Sequence, residues 1–473
     1  MTMKRYLYIL AAALTALLGS CEKEPAGNTD PVDNTPKDIT LSATSFEAVT
    51  AGGDFSLTVT APSRPKVTGE PDWITVKDGT YSNFKITYGL TVKENTTYEE
   101  RTATLTVTSG SLSKTVSVKQ AAAEKPEPVT PVTPTGIKEN LVTADATQAA
   151  KNLYGYLRSI YGKKVLSGVL ANVNWNHQEA DKIHTATGKY PAVNCYDFIH
   201  IYVPQNNWIN YQNLTPVTEW ADAGGIVSLM WHFNVPKTAT TTPGADGSGV
   251  TCTPSETSFK ASNVFTDGSW ENKWFYSEMD KVVDVILKLQ AKGIAAIWRP
   301  FHEGAGNACA KQQAGWTKAW FWWGYDGAET YKKLWTAMFD YFASKGVKNL
   351  IWVWTTQNFN GNSSQYNQDK DWYPGDAYVD IVGRDLYGYS AQQNAKEFAE
   401  IQAAYPDRMV VLAECGVDSG NGNKPFSEVA DFWNAGAKWG WFVPWYGSSM
   451  PNNTWWNNAL KQSFVVTRDQ VKY

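Results

Sequence analysis

Two glutamates are the side chains best placed to do chemistry. Glu303 and Glu414 each stand at the end of a short apolar run with the character of a β-strand. A charge is costly to bury at such a position, and a surface loop would hold it at lower cost. Two facing carboxyls suit cleavage of a glycosidic bond, because one can protonate the leaving oxygen while the other stabilises or attacks the oxocarbenium-like carbon. The alternative, that each glutamate only pairs with an arginine such as Arg299 or Arg384, is weak for two glutamates at matched positions.

The segments that would position these glutamates alternate between apolar runs and helical spacing from residue 137 onward. Eight runs are predicted strands: Val165 to Leu170, Ala192 to Phe198, Ile226 to Phe233, Ile294 to Phe301, Leu350 to Trp354, Val379 to Tyr387, Val410 to Cys415 and Trp441 to Tyr446. Helical periodicity marks intervening segments such as Trp270 to Gln290, Ala328 to Ala343, Ala395 to Tyr405 and Phe426 to Ala437. This alternation predicts an α/β fold, a parallel (β/α)₈ or TIM barrel, whose chemistry lies at the C-terminal ends of the strands.

Several motifs at these strand ends resemble one family of enzymes. The run Arg299-Pro300-Phe301-His302-Glu303, the aromatic run 320–324, the sequence Asp385-Leu386-Tyr387 and Glu414 resemble glycoside hydrolase family 26. The best-known members of that family are retaining endo-β-mannanases, and the resemblance covers residues 137–473. It implies that Glu303 is the general acid/base and Glu414 the nucleophile. Retention requires the two carboxyls to lie about 5 to 5.5 Å apart.

The resemblance also implies contacts with sugar beside the two glutamates. His302, which precedes Glu303, and His232, at the end of the third strand, match family residues that contact sugar. The alternative for each is a histidine satisfied within the core. One of the adjacent residues Trp322 and Trp323 should border the acid/base side, and the sequence does not say which.

Two further aromatic residues have implied roles near the nucleophile. Tyr387 resembles the tyrosine that hydrogen-bonds the nucleophile and so helps to align it. Trp445, at the end of the eighth strand, resembles the aromatic floor under the sugar at the cleavage point. No cofactor is predicted. The five histidines form no cluster with metal-ligand spacing, so no metal site is predicted.

Composition favours a neutral partner. The net charge is −4, from 42 basic and 46 acidic residues, and no long basic run appears, which argues against nucleic acid. Of 22 tryptophans only Trp73 precedes residue 141. Flat aromatic faces suit stacking on sugar rings, although most of these tryptophans must simply fill a large core.

The substrate that the resemblance implies is a β-1,4-linked mannan, galactomannan or glucomannan. A β-1,3-xylanase or mixed-linkage glucanase of the same family is the enzymatic alternative. A non-catalytic, glycan-binding surface lipoprotein is the alternative from another class, and the presence of both glutamates argues against it.

The first 37 residues have the pattern of an export signal followed by a flexible tether. An apolar run too short to span a bilayer comfortably follows Lys4 and Arg5, as in a signal peptide. It ends in Leu18-Gly19-Ser20-Cys21, which resembles a bacterial lipobox with Cys21 as the lipidated residue. The acidic start Glu22-Lys23-Glu24 resembles the export signal of surface lipoproteins in Bacteroides-like bacteria. We therefore predict a signal over 1–21, a flexible tether over 22–37, and an outer-membrane anchor that faces the cell exterior, where other glycan-uptake proteins would be neighbours.

A small domain separates the tether from the barrel. Between residues 38 and 122, short runs such as Phe55 to Val59 and Phe84 to Val92 alternate apolar and polar residues, which predicts an immunoglobulin-like all-β sandwich. Its Pro71-Asp72-Trp73-Ile74 motif and its closing strand resemble a BACON domain. We interpret Trp73 as a core residue and the domain as a spacer with little glycan affinity. The proline-rich linker 123–136 leads to the hydrolase domain, 137–473.

The remaining cysteines divide into two pairs by context. Cys195 and Cys415 fall in apolar strand-like runs, which favours buried free thiols. Cys252 and Cys309 lie in loop-like stretches and are the better candidates for a disulfide in an oxidising compartment. Four cysteines allow three full pairings, so the sequence alone does not choose.

Overall fold

The computed structural model describes residues 34–95, 97, 99–123, 136–172, 175–206, 208–306, 319–357 and 369–473. They divide into two compact units, Met1–Lys125 and Pro126–Tyr473. The lipobox with Cys21, most of the tether and of the proline-rich linker, and Cys309 lie outside the described residues. No described helix is both long and apolar enough to cross a membrane.

The N-terminal unit is a small all-β sandwich, as predicted. Its strands are β1 Thr40–Leu41, β2 Ser45–Ala48, β3 Gly53–Thr60, β4 Lys66–Thr68, β5 Ile74–Lys77, β6 Lys85–Val92, β7 Arg101–Ser109 and β8 Leu112–Gln120. They form two four-stranded sheets, in the orders β1-β3-β6-β5 and β2-β8-β7-β4. Exposed and buried residues alternate along β6 and β8. Each sheet therefore turns one apolar face toward the shared core.

Trp73 lies at the margin of that core and not at its centre. Ile74 is buried, whereas the neighbouring Trp73 is only partly buried against the cluster. The guanidinium of Arg101 lies 4.5 Å from the centre of the Trp73 ring. Side chains alternate along a strand, so the face of Ile74 is the core face. The interpretation of Trp73 as a core residue is thus corrected: it packs against the margin of the core and has a cation–π contact.

The C-terminal unit is a closed parallel barrel. Its strands are β9 Val165–Leu170, β10 Val193–Asp197, β11 Ile226–Met230, β12 Val235–Pro236, β13 Val250–Thr251, β14 Ala296–Arg299, β15 Leu350–Thr356, β16 Ile381–Tyr387, β17 Met409–Gly416, β18 Trp441–Pro444 and β19 Val465–Val466. Eight pair in the order β10-β11-β14-β15-β16-β17-β18-β9, and β9 pairs with β10 to close the ring. All eight predicted strands are present. Their buried faces on both sides explain the continuous apolar runs.

Helices follow most of the barrel strands. They are α1 Gln148–Ile160, α2 Gln178–Thr187, α3 Thr215–Asp222, α4 Trp270–Ala291, α5 Trp322–Tyr325, α6 Ala328–Ser344, α7 Ala391–Ala404, α8 Val429–Asn434 and α9 Asn453–Leu460. Helix α7 begins four residues before the predicted start because Ser390 and Gln393 form a capping box. Helix α8 is shorter than predicted, and Gly436, with φ 112°, follows its end.

Two of the cysteine predictions can be compared with the structure. Cys195 and Cys415 are buried free thiols, as predicted. Burial raises the pKa of both thiols, to about 12 for Cys195. The predicted pairing of Cys252 with Cys309 falls partly outside the described residues, so it stays a prediction.

Candidate active site

A bulge in β17 positions Glu414 at the rim of the barrel. Arg384 of β16 pairs with Leu412 of β17, but the next residue, Asp385, pairs with Glu414, so Ala413 is an extra residue in β17. A bulge of this kind bends its strand and redirects the side chain that follows. Asp385 and Glu414 consequently stand opposite each other on neighbouring strands.

The carboxylate of Glu414 is held by two donors. A guanidinium nitrogen of Arg299, at the end of β14, donates to Oε1 of Glu414, and the side chains of both residues are buried. The hydroxyl of Tyr387 donates to Oε2 at 2.7 Å. Two donors, one on each oxygen, fix the orientation of the carboxyl group. The hydrogen bond predicted between Tyr387 and Glu414 is present.

Arg299 also links Glu414 to a second carboxylate. Its Nη1 lies 3.2 Å from Oδ2 of Asp385 and 3.4 Å from the hydroxyl oxygen of Thr355. Burial disfavours the charge of Arg299, but Glu414 and Asp385 outweigh burial and raise the pKa of the guanidinium. Burial and the charge of Glu414 raise the pKa of Asp385. One arginine therefore neutralises part of a crowded acidic centre.

Glu303 occupies a strained segment just beyond β14. The φ angles are 44° for Phe301 and 51° for Glu303, in the left-handed region that non-glycine residues rarely adopt. Strain of this kind persists where the surroundings enforce it, and it clusters at functional sites. Close packing encloses the segment, since a Cβ on Gly324 would lie 1.9 Å from the carbonyl oxygen of Gly304. The segment after Glu303 therefore packs closely against the end of the aromatic run 320–324.

The electrostatic setting of Glu303 is opposite to that of Glu414. Among the described residues no cation forms an ion pair with Glu303. Burial, followed by the charges of Asp385 and Glu414, raises its pKa well above the ordinary value. A carboxyl whose pKa is raised in this way keeps its proton and can act as a general acid. A carboxyl with a raised pKa, at the same rim as a carboxyl fixed by two donors, fits the pair of roles that glycoside cleavage needs.

The raised pKa of Glu303 predicts the pH dependence of turnover. We expect Glu303 to be the general acid, which must be protonated, so kcat/KM on a polysaccharide should fall as pH rises through a pKa well above the ordinary glutamate value of about 4.3. In Glu303→Ala, assayed on an aryl glycoside whose leaving group needs little protonation, this alkaline limb should be absent. Profiles of kcat/KM against pH for both proteins provide the measurement. An unchanged limb in the variant would assign the limb to another group.

Two histidines lie together beside the glutamates. The rings of His232 and His302 meet edge to face, with centres 4.5 Å apart. Burial, His232 and Arg299 hold the pKa of His302 well below its usual range, so its ring is neutral. Nδ1 of His302 is buried without a hydrogen-bond partner among the described residues. The sugar contacts of both histidines stay predictions.

Asp197, at the end of β10, orients His232. Its Oδ2 lies 2.6 Å from Nδ1 of His232, and its Oδ1 accepts the backbone N–H of the same residue at 3.0 Å. Burial would raise the pKa of Asp197, but the charge and hydrogen bonds of His232 outweigh it and lower the pKa. An ionised carboxylate can only accept, so Nδ1 of His232 carries the proton and Nε2 is directed away from Asp197.

We expect Asp197→Asn to lower kcat/KM on polysaccharide by about ten-fold or more, because residues that orient a functional side chain have effects of this size. The surface pair of His177 and Asp181, with 3.0 Å between Nδ1 and Oδ2, offers a matched control. Asp181→Asn should leave kcat/KM unchanged. Steady-state kinetics with circular dichroism on both variants makes the comparison. Equal kinetics for both variants would show that Asp197 does not act through the site.

The structure places Trp322 and Trp323 behind the site. Both are buried, at 1% and 0% exposure. The indole of Trp322 donates to the carbonyl of Phe233 at 2.6 Å, and that of Trp323 to the carbonyl of His302 at 2.9 Å. A ring with no exposed face cannot stack on a sugar, so the expected substrate contact of one of them is corrected to a supporting role. The neighbouring Trp320 and Phe321 are the partly exposed aromatic residues of this run.

A cleft of about 520 Å³ opens beside Glu303, Asp385 and Tyr387. Glu303, Trp320, Tyr387 and Trp445 line it, and the loop 417–420 after β17 lines its far end. Its size falls within the range of small-ligand sites. The partly exposed Trp445 stands where an aromatic floor is predicted. The cleft therefore brings Glu303, and the tyrosine that hydrogen-bonds Glu414, together with aromatic surface for a sugar ring.

Reasoning from the sequence missed several members of this site. Asp197 is the last residue of β10 and Glu414 lies near the end of β17, so the strand-end rule could have found Asp197 as well. The sequence indicates Arg299 only as a neutralising partner, yet it bridges two carboxylates. Gln357, which lines the cleft and accepts the backbone N–H of Gly306 at 3.1 Å, follows β15 without any motif that marks it.

Comparison with known proteins relates each of the two units to a family. The model of glycosyl hydrolase family 26 matches residues 142–470, and the BACON model matches residues 58–121. A mannan endo-1,4-β-mannosidase from Thermothelomyces thermophilus is 29% identical over 340 residues, which cover 71% of this chain and 62% of that protein. The chain thus spans less than two thirds of the length of that curated relative.

Solved structures show the same relationship. The family-26 domain of an endo-β-mannanase/endo-β-glucanase from Prevotella bryantii is 59% identical with a TM-score of 0.69, over 71% of this chain and all of that one. A β-mannanase from a symbiotic protist of the termite Reticulitermes speratus, solved with a gluco-manno-oligosaccharide, is 27% identical with a TM-score of 0.57. That match covers 71% of this chain and 98% of the protist enzyme. With the family model extending over most of the chain and with both strand-end glutamates in place, the protein belongs to glycosyl hydrolase family 26.

Proposed function

We propose that the protein is a retaining endo-β-1,4-mannanase that cleaves mannan, galactomannan or glucomannan by double displacement. The observation that carries the proposal is the contrast between the two glutamates. Glu414 accepts from Arg299 and Tyr387, as a nucleophile needs, while the surroundings of Glu303 raise its pKa, as an acid needs. Relatives described as mannan endo-1,4-β-mannosidases support the choice of substrate.

In the proposed mechanism Glu414 attacks the anomeric carbon while Glu303 protonates the departing oxygen. A covalent glycosyl–enzyme results. Glu303, now ionised, then removes a proton from water, which attacks the same carbon and releases Glu414. Arg299 and Tyr387 keep the two oxygens of Glu414 in place through both steps.

Release of reducing ends tests the activity. Protein lacking residues 1–21 should release them from mannan and galactomannan faster than from β-1,3-xylan or mixed-linkage glucan. A preference for xylan or glucan would favour the alternative activities within the family. Absence of release from all of these would favour a glycan-binding lipoprotein instead.

We also propose that Cys21 is lipidated and anchors the enzyme to the outer membrane, facing outward. The pattern that supports this is Leu18-Gly19-Ser20-Cys21 followed by an acidic start. In a detergent phase-separation experiment the full chain should partition with the detergent, and Cys21→Ala should move to the aqueous phase. Identical partitioning of the two proteins would contradict the proposal that Cys21 is lipidated.

For the N-terminal domain we propose a spacer role. Arg101 covers one face of Trp73, which leaves less aromatic surface for a sugar. Affinity electrophoresis of residues 38–122 in gels containing mannan should show no retardation. Retardation that is lost on Trp73→Ala, with folding preserved, would make the domain a binding module.

A further inference from the structure

A second cleft lies on the barrel face that carries the active site. The loops after β9 and β10 form it, so it opens at the C-terminal ends of the strands. Its volume is about 300 Å³, the low end of the range for small-ligand sites. It shares no described lining residue with the cleft beside Glu303. The two clefts are therefore distinct parts of one face.

An exposed tryptophan forms one wall of this second cleft. Trp208 has 46% of its surface exposed, more than any other described tryptophan. Its backbone N–H is held by Oδ1 of Asn206 at 2.9 Å, and the ring of His200 packs edge-on against it with centres 4.9 Å apart. A large apolar ring exposed to solvent lacks the favourable free energy of burying its surface. A flat ligand stacked on the ring would cover that surface and provide this free energy.

The rest of the described lining is uncharged. Trp175 also lines the cleft; it is largely buried, and its indole donates to the carbonyl of Asn213 at 2.8 Å. The described lining is otherwise Ile209, Pro216, four asparagines and one glutamine. Amides offer both donors and acceptors without charge. Such a lining matches a neutral ligand with many hydroxyls and one flat apolar face, which is the chemistry of a sugar ring.

Hydrogen bonds tie this cleft to the catalytic side. Tyr211 donates to the carbonyl of Asp197 at 2.7 Å and accepts the backbone N–H of His200 at 3.2 Å. Asp197 forms a hydrogen bond with His232, and the ring of His200 packs against the ring of Trp208. The aromatic wall is thus fixed to the same strand end that orients His232.

We propose that the cleft lined by Trp175 and the exposed Trp208 is a second sugar-binding site, which holds a neutral hexose unit of the polysaccharide away from the bond being cleaved. The proposal rests on the proposed function, because it takes the ligand to be another part of the same chain-like substrate. Long substrates reach this site and short ones do not.

Kinetics on substrates of two lengths test the proposal. For the full chain carrying Trp208→Ala, the ratio of KM on galactomannan to KM on an aryl β-mannobioside should rise about five- to ten-fold, the loss expected for one aromatic contact. Trp208→Phe keeps a flat ring and should retain most of the wild-type ratio. Tyr473→Ala removes an equally exposed aromatic residue elsewhere, at 51% exposure, and should leave the ratio unchanged.

An unchanged ratio for Trp208→Ala, or equal losses on both substrates, would overturn the proposal. Failure of the proposed function would look different, since the wild type would then hydrolyse neither mannan-derived substrate. If neither substrate is hydrolysed, affinity electrophoresis tests sugar binding at the second cleft without requiring hydrolysis. Full chain carrying Glu414→Gln should be retarded in gels containing galactomannan, β-glucan or xylan, and the added Trp208→Ala should reduce the retardation in at least one. Equal mobility of the two proteins in all three gels would also overturn the proposal.

Discussion

Replacing Glu414 by glutamine should abolish turnover of every substrate, by about 10⁴-fold or more in kcat, while the fold is kept. The amide cannot form the covalent intermediate, and no leaving group is good enough to replace that step. The loss should therefore be as large on an activated aryl mannoside as on polysaccharide. Initial rates on both substrates, with circular dichroism to check folding, provide the measurement.

The chain contains a matched control for this variant. Glu397 on α7 is also buried and paired with an arginine, with 2.9 Å between its Oε2 and Nε of Arg384. Glu397→Gln should lower the free energy of unfolding by about 3 kcal/mol, because it breaks a buried ion pair. Its turnover at a temperature where it is folded should stay near that of wild type. If Glu414→Gln behaved like Glu397→Gln, Glu414 would be a structural partner of Arg299 and nothing more.

Replacing Glu303 by alanine should separate substrates by their leaving groups. Hydrolysis of polysaccharide should fall by about 10²- to 10⁴-fold, because the sugar leaving group needs a proton. Formation of the glycosyl–enzyme from an activated aryl glycoside should be largely spared. Rates on a series of aryl glycosides with leaving groups of different pKa should depend far more steeply on that pKa in the variant.

Azide provides an independent check on the same variant. Without Glu303 no base activates water, so azide should accelerate breakdown of the intermediate and give a glycosyl azide of retained configuration. An azide product of inverted configuration, or equal losses for activated and natural substrates, would show that the roles are misassigned.

The barrel and its two glutamates were predictable because both depend on local patterns. Strands buried on both faces read as apolar runs, and the strand-end rule then selects Glu303 and Glu414. Their mutual geometry was not predictable. It depends on the extra residue Ala413 in β17 and on the positive φ of Phe301, and neither feature leaves a periodic signal in the sequence.

Burial of individual aromatic residues was the least predictable property. Trp320, Trp322 and Trp323 are nearly adjacent, yet only Trp320 lines the cleft. Contacts with residues distant in the sequence decide which of these tryptophans is buried, such as the hydrogen bond from the indole of Trp322 to the carbonyl of Phe233. The marginal position of Trp73 has the same origin, because it depends on where Arg101 lies in the folded sandwich.

Trapping the glycosyl–enzyme tests the central claim most directly. A 2-deoxy-2-fluoro mannoside with an activated leaving group slows both steps through its fluorine, and Glu303→Ala further slows hydrolysis of the intermediate. Mass spectrometry of the digested protein should then find one fluorosugar on the peptide that contains Glu414. Attachment at any other residue, or turnover of the natural substrate with inverted configuration and no trapped species, would contradict the assignment of Glu414 as the nucleophile.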